Sequence, residues 1–140
     1  MLRLTANASD VRQHFSEFID SVVRDRPGFL TRNRDVLATL NLEHLDVLLD
    51  SLQFHADIRL DEHGIYLGTL HEIEDIVAVG VTEQEAIADL AKSLTEYAEE
   101  YLTESFRLYF HAPNRRAHFP YVLKVAIQAD QDAVVSMIHA

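Results

Sequence analysis

The stretch FLTRNRDVLATLNLEHLDVLL, residues 29–49, decides how the front of the chain folds. Phe29-Leu30-Thr31 and Val36-Leu37-Ala38-Thr39-Leu40 are short apolar runs of strand type, and Arg32-Asn33-Arg34-Asp35 lies between them. So tight a polar interruption reads as a hairpin turn, in which Asn33 tolerates a left-handed backbone. Asn41 then precedes Leu42, Leu45, Leu48/Leu49 and Leu52. Their three- and four-residue spacing predicts an amphipathic helix with Asn41 as its cap.

Upstream, Val11, Phe15, Ile19 and Val22/Val23 repeat with helical period, with Phe18 beside them. Asn7 or Ser9 suits the N-cap, and Pro27-Gly28 stops the helix. Leu2 and Leu4 begin a strand ahead of it. Residues 1–53 thus read as a β-α-β-β-α unit. A unit of that size buries little apolar surface alone, so it is expected to pair with a second copy or to lean on the rest of the chain.

Residues 54–140 read as a second unit. Phe54, Ala56, Ile58 and Leu60 alternate with His55, Asp57, Arg59 and Asp61, a half-buried strand. Asp61-Glu62-His63-Gly64 turns into a second strand, Ile65–Leu70. A third strand, Ile76–Val81, is apolar on both faces and reads as central and covered. Thr82-Glu83-Gln84-Glu85 is a capping box. The helix behind it keeps its period from Ala86 to Tyr109/Phe110, so one helix to about His111 is expected, although residues 106–110 also alternate like a strand. Ala112-Pro113-Asn114 ends it. Two short helices follow, with Pro120 early in the first and Asp130 capping the second.

The whole is an α+β chain of 140 residues, 48% apolar and 25% charged, values ordinary for a soluble domain. No uncharged run approaches a membrane span and no signal-type segment opens the chain, so a cytoplasmic location and no membrane partner are expected. Without Cys there is neither a disulfide framework nor a thiolate metal site. Charge is uneven. Residues 1–53 hold six Arg against eight Asp/Glu, a net −2, and residues 54–140 hold six Lys/Arg against fifteen Asp/Glu, a net −9. The front suits an anion better than the back, and the back suits a basic partner.

The helix Val11-Arg12…Phe15-Ser16-Glu17-Phe18-Ile19-Asp20, the hairpin Thr31–Leu40 and Leu42-Glu43-His44-Leu45 together resemble Phd/YefM-type antitoxins over residues 2–52. The alternating strand, Asp61–Leu67 and the G-x-T-x-x-E-A step from Gly80 to Ala86 resemble a HicB-like antitoxin domain, a reduced RNase H-like fold, over residues 54–105. The resemblance implies an antitoxin of a bacterial toxin–antitoxin system. Its Phd/YefM-like unit would form a homodimer on operator DNA. Its HicB-like unit, built on a three-stranded antiparallel sheet with a long helix and short C-terminal helices, would bind a toxin, a basic ribonuclease by charge. The alternative is a stand-alone transcriptional regulator or orphan protein-binding module without a toxin.

Carried over by position, the DNA-binding residues are Arg3, Arg12, Thr31, Arg32, Asn33 and Arg34. Arginines on rigid elements pair with phosphates or fork onto guanine. Composition alone favours solvated hairpin residues at these places, since a −2 half is not a basic domain; the resemblance favours the DNA contact. An RNase H-like fold also brings metal-dependent nuclease chemistry to mind, with Asp57, Asp61, Glu62, Glu72, Glu74 and Asp75 as available carboxylates. They read as strand-face and loop residues, and a solvated acidic face is the better account. The eight His show no zinc spacing, and the sequence shows no Gly-rich phosphate loop, nucleophile elbow or Ser/His/Asp arrangement, so no metal, cofactor or catalytic activity is expected. Tyr97, Tyr101, Phe106, Tyr109 and Phe110 read as packing residues, and Asn114-Arg115-Arg116 as either a helix break or an anion contact.

Overall fold

The computed structural model describes residues 5–140. They divide into two compact units, residues 1–48 and 49–140. Leu2, Leu4 and Arg3 lie outside the described residues.

In the front unit, β1 (Thr5–Asn7) runs parallel to β2 (Gly28–Arg32), which pairs antiparallel with β3 (Asp35–Thr39). The hairpin loop is Asn33-Arg34, closed by the Arg32–Asp35 pair, and Asn33 takes φ 56° as its residue type allows. The expected first helix is two, α1 (Ala8–Gln13) and α2 (Phe15–Arg24). His14, at φ −123° and ψ 42°, breaks it, although the apolar spacing runs straight through. Asn7 caps α1 by accepting from the backbone N–H of Ser9 (2.8 Å) and of Asp10 (3.3 Å). Asn41 caps α3 (Leu42–Leu49) by accepting from His44 N–H (3.0 Å). Leu52 falls beyond that helix. Of the apolar side chains in this unit, Val22 is buried, whereas Phe15 is 59% exposed and Leu42 61%.

The back unit carries a four-stranded mixed sheet in the order β6-β5-β4-β7, made of β4 (Phe54–Leu60), β5 (Tyr66–Leu70), β6 (Val77–Gly80) and β7 (Ile138–His139). This corrects the expected three-stranded antiparallel sheet. The last residues return beside β4 in parallel, Phe54 opposite Ile138, a non-local pairing too short to show as a sequence pattern. β6 is an edge strand rather than a central one. Ala78 faces the core, but Val77 is 61% and Val79 53% exposed. Gly64, at φ 78°, forms the β4–β5 turn, and Asp61 Oδ1 accepts from the N–H of His63 (2.8 Å) and Ile65 (2.9 Å).

Helix α4 (Glu83–Leu102) begins at the expected capping box. Thr82 Oγ1 accepts from Glu85 N–H (3.1 Å), and Glu85 Oε2 accepts from Val81 N–H (2.8 Å). It does not run on to His111. Thr103 (φ −114°, ψ −92°) ends it, and α5 (Phe106–His111) folds back. In a continuous helix twelve residues would separate Tyr97 from Tyr109 by about 18 Å; here their rings stack 6.0 Å apart, and Tyr109 Oη donates to Glu100 (2.9 Å). A 3-10 turn (Arg116–His118), α6 (Phe119–Ala126, with Pro120 in its first turn) and α7 (Gln131–Ser136, capped by Asp130) complete the unit. The core joins Phe54, Leu70, Ile73, Leu90, Leu94 and Val122 beneath α4. Lys124 Nζ donates to the Leu52 carbonyl, which ties the segment after α3 into this unit.

Candidate functional site

The parallel register Asn7↔Thr31 sets the first turn of α1 beside the loop end of the hairpin. Between them lies an open cleft of about 740 Å³ lined by Asn7, Ser9, Arg12, Thr31, Arg32 and Asn33. Four of the residues named from the sequence, Arg12, Thr31, Arg32 and Asn33, therefore share one concave surface. Arg34, the second loop residue, is exposed but does not line it. Arg12, Arg32 and Arg34 form no ion pair among the described residues, so their guanidinium donors face solvent. The cleft can hold an anion. Asn7 and Ser9 read only as caps in the sequence, and their place in the cleft follows from the β1–β2 pairing.

The carboxylates of the back unit serve separate contacts. Asp57 pairs with His71 (2.7 Å), Asp61 fastens its turn, Glu72 accepts from His55, and Asp75 pairs with Arg115 (3.1 Å). Among the described residues no three His, Asp or Glu are placed to share a metal ion. Strand pairing does assemble one group that spacing hid. His55 lies between His71 and His139, with ring centroids 6.1 and 6.2 Å away.

Arg115 is a packing residue rather than a free anion contact. Its guanidinium lies 4.1 Å from the Tyr109 ring centroid while pairing with Asp75, and Arg116 stacks 4.6 Å over Phe110. Beneath it, Tyr97 Oη and His118 Nδ1 are 2.7 Å apart. Burial raises the Tyr97 phenol to about 12. Burial also lowers the His118 pKa, against the opposing pull of Asp75. A neutral His118 is thus part of the fold. Below about pH 6.5 the unfolded chain binds a proton that the folded chain resists, so stability is complete above that pH and falls beneath it. One such proton gives at most about 1.4 kcal/mol per pH unit. Urea unfolding between about pH 7.5 and 5.5 is expected to show a shallower pH slope in His118→Gln than in the unsubstituted chain. Equal slopes would remove His118 from this role.

The edge strand β6 is partly capped. Val79 N–H donates to Asp89 (3.0 Å) and Val81 N–H to Glu85 (2.8 Å), both on or beside α4. Side-chain carboxylates thus occupy one N–H of β6 and that of the residue after it, two groups that an added strand would use.

A fold of two small α+β units, with an anion-ready cleft on one and strong acidity on the other, is that of a protein built around binding surfaces. The chain belongs to the PHD-like family, antitoxins of RelE/RelB toxin–antitoxin systems, whose family profile matches residues 1–140. It is similar to a crystal structure from Syntrophomonas wolfei subsp. wolfei, the antitoxin part of a proposed toxin/antitoxin system, at 43% identity and a TM-score of 0.88. That match covers 97% of this chain and 96% of the other. None of the curated proteins matches. The chain is an antitoxin of a toxin–antitoxin system, and a toxin is its partner. No described helix is long and apolar enough to cross a membrane.

Proposed function

We propose that the front unit acts as a Phd/YefM-like homodimer that binds operator DNA and represses its own operon, and that the back unit, HicB-like in strand and helix order, neutralises a basic toxin by stoichiometric binding. The observation that carries the DNA reading is the shared cleft of Arg12, Thr31, Arg32 and Asn33, with its arginines unpaired among the described residues. Dimerisation is supported by the thin core of this unit. Phe15, Val36, Leu37 and Leu42 are all exposed in the single chain, which is surface that a partner copy would cover. Few cations reach the DNA from one copy, and a two-fold dimer doubles them. Arg34, exposed at the hairpin tip, would add a contact to a backbone phosphate, and Arg3 is assigned by the resemblance alone.

The back unit's net −9 favours a basic partner by speeding encounter and rejecting acidic surfaces. Nothing in this role requires the chain to perform chemistry.

An electrophoretic shift with the DNA upstream of the gene tests the first half. The unsubstituted chain is expected to bind as a dimer, with affinity falling steeply between about 50 and 200 mM salt. Arg32→Ala is expected to lose about 1–3 kcal/mol, or roughly five- to 150-fold. Arg24→Ala, outside the cleft, serves as control. A shift indifferent to Arg32 would overturn the assignment of the cleft.

A further inference from the structure

We infer that the toxin docks by a helix laid into the groove between the C-terminal half of α4 and the α6–α7 corner. This rests on the toxin-binding reading above. The groove encloses about 460 Å³, and its floor is Ala98, Val125 and Val134, all buried. Leu102 and the small, exposed Ala126 and Ala129 form its apolar walls. Small side chains along such a wall admit one or two aliphatic or aromatic anchors from a partner helix, spaced three or four residues apart. Its rim fixes the partner's charge. Glu99 and Asp130 stand at the mouth, and no Lys or Arg lines it. Helix α4 itself carries six Asp/Glu and one Lys. The occupant is therefore an amphipathic helix with an apolar anchor flanked by Lys or Arg. An acidic segment would be opposed by Glu99 and Asp130, and a purely apolar one would desolvate Glu99 without a partner, whereas Asp130 already caps α7.

Calorimetric titration with the purified product of the adjacent open reading frame tests it. Ala129→Trp fills the groove from an exposed position and is expected to weaken binding by about thirty-fold or more. Glu99→Lys reverses the rim charge on an exposed helical residue, where the fold is not at risk, and is expected to weaken it about ten-fold. Asp57→Lys, on the opposite face of the sheet, is expected to change it less than about two-fold. If the unsubstituted chain binds and both groove variants bind equally well, or if Asp57→Lys weakens binding as much as they do, the groove is overturned while toxin binding stands. If the unsubstituted chain binds nothing, the toxin-binding reading fails and the groove fails with it. If Ala129→Trp instead splits a dimer on a sizing column, a second copy occupies the groove and the proposal is overturned.

Discussion

Tyr101→Ala is expected to destabilise the 49–140 unit by about 3–5 kcal/mol, the range for truncating a buried aromatic. Tyr101 is fully buried and stands at the centre of the aromatic cluster. Its ring meets Tyr97 edge-on (5.9 Å), Phe106 edge-on (6.1 Å), Tyr109 tilted (5.5 Å) and Phe119 stacked (6.4 Å). Its hydroxyl donates to the Arg115 carbonyl (2.8 Å). Removing the ring leaves a cavity where α4, α5 and α6 meet, and it frees the hinge that holds α5 back against α4. Tyr101→Phe separates the two contributions. It keeps the ring and loses one hydrogen bond, for about 1 kcal/mol. Denaturant unfolding followed by near-ultraviolet circular dichroism reads both. A Tyr101→Ala variant within about 1 kcal/mol of the unsubstituted chain would mean the cluster is not the keystone of this unit.

Gly80→Ala is expected to cost about 2–4 kcal/mol, large for one methyl group. A Cβ at Gly80 would lie 2.3 Å from the Ala86 amide nitrogen and 2.7 Å from the Glu85 carbonyl carbon. Both are backbone atoms in the first turn of α4, so relief requires moving the helix or the end of β6. Gly64→Ala gives the contrast. A Cβ there meets nothing within 4 Å, and only the φ of 78° opposes it, for about 1–2 kcal/mol. If the two substitutions cost the same, close approach is not the reason for Gly80.

That result would also explain the G-x-T-x-x-E-A step in physical terms. Gly80 admits the helix, Thr82 caps it, Glu85 reaches back to Val81, and Ala86 is fully buried against the strand. The step that carries the HicB-like resemblance joins strand to helix.

The candidate DNA surface was legible in part. Arg12, Thr31, Arg32 and Asn33 were named by position in the Phd/YefM-like resemblance, and their convergence needed β1 beside β2, a pairing across more than twenty residues. The docking groove was not legible at all. Its walls are Leu102 of α4, Ala126 of α6 and Ala129 of the following loop, which individually signal only helix or packing.

By itself the sequence determined what is settled within a few residues. The left-handed turn at Asn33, the caps at Asn7, Asn41, Thr82 and Asp130, and the apolar faces of α4 and β4 all depend on neighbours in the chain. Tertiary structure alone decided the break at Thr103, the place of β6 at the edge, and the return of Ile138 beside Phe54. The helical period runs unbroken through Thr103, yet the helix ends there and Tyr109 of α5 packs back against Tyr97 and Tyr101 of α4. An apolar strand likewise looks the same at an edge or a centre until its neighbours arrive. Those outcomes compare packings between distant segments, and no local spacing encodes that comparison.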